Sequence, residues 1–385
     1  MGILDRFKKL VQRLNSHKLE KSEDNTFQRQ VAGKDSMQTQ VGTMIINQGI
    51  SEERVRSVFA EMIPQALDQY TKEAYAVSNS RLEKLEMAVI PRVMQVEAAV
   101  NAFGDPAFQI LLRKAQQTAA ATERQDDYEL LSELLMCHVQ KGADRKNRVG
   151  IAKAVEIVDD IDNDALCGLT VAHAINRYSP VSGNINEGLN VLEGLFSKLL
   201  YINLPSDRDW IDHLDVLGAV RMTSFSTFKK FRDYYCEKLN GYACLGIKID
   251  SEEYKQAIEL ITKVGLSTNI LVRNEFIDGF VRLEIVTKDS IKNLFISNDI
   301  TSDLRPLTET ETKALEEVWK LYSKDEMMLN NVKDEFIKKW DSFESLKKIR
   351  NWWEGIPCSF EITRVGTVLA HTNAKRCDPT LPDLL

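Results

Sequence analysis

VGIAKAVEIVDDIDNDALCGLTVAHAINR, residues 149–177, reads as two helices joined at a short acidic break, residues 162–164. Apolar residues recur at helical spacing on both sides of the break, and the break itself is rich in Asp and Asn, which favour turns and helix starts. Together with the helices around them they are expected to belong to an antiparallel array.

The same pattern extends in both directions. Upstream, helices are expected over residues 51–63, 65–89, 94–103, 108–122 and 128–141, with breaks at Pro64, at Gly104-Asp105-Pro106 and at Gln125-Asp126-Asp127. Ser51 is a favourable N-cap with Glu52 and Glu53 in the first turn. Downstream, helices are expected over residues 187–200, 213–220, 251–264 and 308–340. Residues 270–286, ILVRNEFIDGFVRLEIV, read as two strands joined by a tight turn at Asp278-Gly279. A helix followed by a hairpin is the order of a winged-helix unit. The last helical residues follow a short strand, and the ending CDPTLPDLL reads as extended.

The expected fold class is therefore mainly α. It is a multi-helix array with a short N-terminal β segment and a small α+β C-terminal part. The expected division is 1–25, an amphipathic helix and linker; 26–50, a Gly/Ser/Gln-rich β segment; 51–200, a helical domain; 201–300, helices ending in the hairpin; and 301–385, a helical region with an extended tail.

Composition narrows the function. With 43% hydrophobic and 28% charged residues the chain can bury a core. A net charge of −7 gives no overall basic surface for nucleic acid. The 6 cysteines lack paired CxxC spacing, as expected of reduced thiols in a cytoplasmic protein. No apolar run reaches the roughly 20 residues that span a bilayer.

The N-terminal helix gathers Phe7, Leu10, Val11 and Leu14 on one face, with lysines and arginines around it. That face suits a membrane surface or docking on a protein. In the segment that follows, Gln38, Gln40, Val41, Ile45, Ile46 and Gln48 form short extended stretches between glycines. Strands this short are marginal alone, and glutamine amides can ladder along stacked copies. Self-association through these residues is the first reading, against a flexible linker.

Searches for chemistry find little. The string from Gly241 to Lys248 lacks the lysine and hydroxyl ending of a phosphate loop, and no nucleophile elbow occurs. Asp250, Glu253 and Lys255 are the one stretch offered for metal-dependent nuclease work, against a plain helix start. Residues 156–164 are acidic but lack a calcium loop's glycine and closing glutamate. Cys358, His371 and Cys377 could supply zinc ligands but lack the usual pairing. Two aromatic and basic strings, SFSTFKKFRDYY from Ser224 and KKIRNWW from Lys347, suit either nucleic acid or core packing. No cofactor, metal or catalytic residue is assigned.

The order of pieces resembles an uncharacterised family of bacterial proteins found in mobile or defence-type gene neighbourhoods. The carrying residues are QRQVAGKDS from Gln28, Gln38-Thr39-Gln40, and Ile45-Ile46-Asn47-Gln48-Gly49 before Ile50-Ser51. DDYELLSELL from Asp126 and FEITRVGTVLAHTNAKR from Phe360 complete the set. Lys34-Asp35 stand where that pattern commonly has Gly-Asp. The resemblance implies a defence-linked sensor, adaptor or effector that forms multimers. The function expected is thus a non-enzymatic homo-oligomer that binds a protein partner. The alternatives are a membrane-surface effector and a divergent metal-dependent nuclease.

Overall fold

Helices carry most of the described residues because their caps and apolar faces are encoded locally. The computed structural model describes residues 53, 54, 56–58, 60, 72–223, 226–297 and 304–384. The expectations for Phe7, Leu10, Val11, Leu14, Gln38, Gln40, Val41, Ile45, Ile46 and Gln48 lie outside the described residues. Residues 49–385 group as one compact unit.

The first part of that unit is α1 (Lys72–Gln95), α2 (Glu97–Ala102), α3 (Pro106–Ala121), α4 (Gln125–Lys141), α5 (Arg145–Glu156) and α6 (Asn163–Arg177). Asp105 and Asp144 cap α3 and α5 by accepting backbone N–H groups two residues on. The helix expected to stop near residue 89 instead runs through Pro91 to Gln95. The Arg124 guanidinium donates to the carbonyls of Val158 and Ile161, each at 2.6 Å, and so closes the α5 end of the 149–177 pair. These helices share one core, in which Leu85, Phe108, Leu112, Leu131, Leu134, Ile151 and Leu169 are buried.

The chain continues with α7 (Ile185–Leu199), α8 (Asp209–Val216), β1 (Val220–Thr223) and α9 (Phe231–Lys238). The helix expected over 213–220 therefore starts earlier and gives way to a strand. Next come β2 (Ile247–Lys248), α10 (Glu252–Lys263), β3 (Leu271–Arg273) and β4 (Phe280–Leu283). They form an antiparallel sheet of order β2-β4-β3. Its hairpin is not tight, because residues 274–279 form the connection and Gly279, at φ +76°, closes it. Glycine is required there because that φ is costly for side chains bearing a Cβ.

A two-stranded ribbon, β5 (Phe295–Ser297) with β6 (Leu304–Pro306), leads to α11 (Glu309–Lys320) and α12 (Glu326–Asp341). The single helical region expected over 308–340 thus breaks at residues 321–325, where Asp325 caps the second helix. α13 (Glu344–Gly355), β7 (Ser359–Ile362) and α14 (Arg364–Cys377) finish the order.

The last helix is an interior one. β7 pairs with β1 in the register Val220↔Ile362, and α14 then packs against α4, α5 and α6. Thr363 caps α14 and also bonds the carbonyls of Gly218 and Ala219 at 2.7 and 3.0 Å. A Cβ at Gly366 would lie 2.0 Å from the Ala219 carbonyl oxygen. Because backbone rather than a flexible side chain opposes it, Gly366→Ala should cost roughly 2 kcal/mol. Urea unfolding that leaves this variant as stable as the parent would remove the argument for a close approach.

Candidate functional site

Rings and basic residues of the 224–235 string separate when the helix forms. Phe228, Phe231 and Tyr235 turn inward against Trp353 and Trp340, with centroids 4.4 to 5.1 Å apart. Lys229 and Lys230 stay exposed. The KKIRNWW string divides the same way, its Trp352 and Trp353 indoles donating to the carbonyls of Pro205 and Lys229. Core packing therefore accounts for Phe228, Phe231, Tyr235, Trp352 and Trp353 among the described residues of the two strings.

The lysines do not end there. Lys229 joins Lys320, Lys324 and Lys333 around a cleft of about 690 Å³ between α9, the 240–245 loop, the α11–α12 turn and α12. Its apolar wall includes Cys236, Ala243, Cys244, Leu245, Trp319 and Tyr322. Two backbone-linked contacts fix the wall. The Leu283 N–H donates to the Tyr322 hydroxyl at 2.6 Å, and the Ser323 N–H donates to the Gly246 carbonyl at 2.8 Å. Arg232 on α9 pairs with Asp334 on α12 at 2.7 Å and donates to the Asn330 carbonyl, clamping the two helices beside the cleft.

Charge in the cleft is unbalanced. Lys229 pairs with Glu237, and Lys320 with Glu317. Among the described residues, no ion pair is formed by Lys324 or Lys333. Burial pushes the thiols of Cys236 and Cys244 up to about 12, so both remain protonated and unreactive near neutral pH. The cleft therefore sets four lysines against Asp233 and Glu237 beside two protonated thiols.

A second cluster lies between α6 and α14. His173 and His371 meet edge to face at 5.8 Å, and the Tyr178 hydroxyl lies 3.1 Å from His371 Nδ1. Both rings are buried, and neither Nε2 atom has a hydrogen-bond partner. Burial lowers the pKa of each histidine to about 4, and it raises Tyr178 to about 12. Neutral imidazoles with a protonated phenol beside them are the state this pocket favours. His173 also lines an open cavity of about 510 Å³ with Asn176, Arg177 and Thr367.

The sequence-assigned candidates are scattered by the fold. Ser251 caps α10 through the Tyr254 N–H, and Lys255 pairs with Glu252, so Asp250, Glu253 and Lys255 mark a helix start. The 156–164 run is a junction in which Glu156 pairs with Lys114 and Lys153. His371 and Cys377 share α14 at a separation of six residues, about 9 Å along the axis, too far for one metal. Among the described residues no cluster of three or more His, Cys, Asp or Glu is placed to hold a metal ion. Nor does the hairpin offer a basic wing at Arg282, which is fully buried and paired with Glu275 at 2.8 Å.

The cleft lysines and the His173–His371–Tyr178 group were missed by sequence reasoning. Lys324 and Lys333 look like ordinary helix-surface charges, and His173 had no neighbour in sequence to mark it. No described helix is long and apolar enough to cross a membrane.

One protein-family model, whose description states no activity, matches residues 49–382, most of the chain. No curated protein and no solved structure matches.

Proposed function

Because the chain belongs to the uncharacterised family whose model spans residues 49–382, we propose that it is a non-enzymatic, homo-oligomerising interaction protein. In this reading it serves bacterial defence as a sensor, adaptor or effector. The 26–50 segment joins copies, and the helical body meets a partner or signal.

The observation that carries the reading is the lysine-rimmed cleft. It combines concavity, fixed walls and unneutralised cations with thiols held in their inert protonated form. Such a surface is suited to binding more than to bond making. The defence setting is supported by the resemblance of the 28–51 and 126–135 strings.

Light scattering of the full chain should give a mass that is a multiple of 43.8 kDa. Removal of residues 1–48 should reduce it to that of a single copy, since the compact unit begins at Gly49. A full-length protein that runs as a monomer at micromolar concentration would sink the proposal.

A further inference from the structure

We infer that the cleft between α9 and the α11–α12 turn binds a small organic polyanion carrying a flat ring, the chemistry of a nucleoside di- or triphosphate. The inference deepens the proposed function and rests on it, by naming the ligand class of the same cleft.

Three features converge. The first is size: about 690 Å³ falls within the range that holds a nucleotide-sized molecule. The second is charge. The rim carries lysines from three separate places in the chain against two carboxylates, Asp233 and Glu237, and Lys324 and Lys333 have no ion pair among the described residues. In a chain of net charge −7, a local excess of ammonium groups is not an average surface. Lysine without a fork geometry suits the spread charge of a phosphate chain, which presents oxygens in many directions.

The third feature is the wall. Trp319 and Tyr322 stand with centroids 4.4 Å apart at one side, and Trp319 is half-buried at the cleft wall. An indole of this kind offers a face on which a base can stack. Inorganic phosphate alone would leave that apolar side unused, and an aliphatic acid would use the wall without engaging several lysines at once. The Tyr322 hydroxyl, tied to Leu283, holds its ring in place before any ligand arrives.

Titration calorimetry of the full-length protein with ATP, inorganic tripolyphosphate and adenosine tests this. ATP should bind, and its affinity should fall as salt is raised. Tripolyphosphate should bind at least tenfold more weakly, and adenosine weaker still. Lys324→Ala combined with Lys333→Ala should weaken ATP at least tenfold while leaving the ligand-free melting midpoint unchanged, because both side chains lie at the cleft rather than in a core. Trp319→Leu should weaken ATP but not tripolyphosphate. No binding of ATP at millimolar concentration, or equal binding to the lysine variant, overturns the inference. Equal affinity for ATP and tripolyphosphate overturns the ring. Light scattering on the same samples separates the two ideas, since loss of ATP binding with the multimer intact removes the ligand class alone.

Discussion

Replacing Arg282 by Met is expected to destabilise the protein by about 3 to 5 kcal/mol, among the largest effects of any single change in this fold. Arg282 sits on β4 with no exposed surface. Its guanidinium makes a two-pronged pair with Glu275, at 3.0 and 2.8 Å. It also donates to the carbonyls of Gly183 at 3.2 Å and Leu283 at 3.1 Å, and reaches Gly241 at 3.5 Å. One side chain thus ties the three-stranded sheet to the loop before α7 and the loop after α9. Methionine fills much of the volume but supplies no donor, so the Gly183 carbonyl loses its Arg282 bonds, Glu275 loses its partner, and the Leu283 and Gly241 carbonyls keep only their bonds from Ile285 N–H and Cys244 Sγ. Arg282→Lys keeps the charge without the planar fork and should recover only part of the loss. Urea unfolding monitored by tryptophan fluorescence reads both. A Met variant within roughly 1 kcal/mol of the parent would mean that the carbonyls find other partners.

Acidification should act through the histidine pair. Both His173 and His371 have native pKa values near 4 against 6.5 when unperturbed. Burial is the main cause for each. The second is the neighbouring His371 for His173, and Lys375 for His371. A lowered native value means that the unfolded chain takes up protons which the folded chain refuses. The stabilisation is therefore complete above about pH 6.5 and is lost as pH falls toward about 4. For each imidazole this is on the order of 3 kcal/mol. Melting midpoints followed from pH 7 to pH 4 should fall, and the fall should be much shallower in His173→Gln/His371→Gln, where neither position can gain a proton. Comparison with that variant subtracts the carboxylates that titrate in the same range. Parallel pH profiles for the two proteins would show that the imidazoles are not held neutral by the fold.

Both effects arise from groups whose partners are remote in the chain, and this marks what could be read from the residues alone. Residues 149–177 were legible as two helices because a helix is made of contacts three and four residues apart, and its caps are nearer still. Asp105, Asp144, Ser251 and Thr308 each accept a bond from an N–H two or three residues on. The mainly α class followed from such local rules, as did the final strand and helix and the breaks near residues 104 and 162. Local rules were less dependable where a turn type had to be judged. Asp278-Gly279 closes a six-residue connection, and Pro91 is carried inside a helix instead of ending one.

Tertiary structure alone decided the rest. Tyr178 and His371 are 193 residues apart, and β1 finds its partner in β7 only after α9 to α13 have been laid down. The cleft lysines come from positions 229, 320, 324 and 333. Nothing near any one of them in the chain distinguishes it from a solvated charge. Secondary structure is written in the period of neighbouring side chains, whereas a binding surface or a buried titrating pair depends on which distant segments the packing of apolar faces brings together. That selection is made by the whole core at once, so no short stretch carries it.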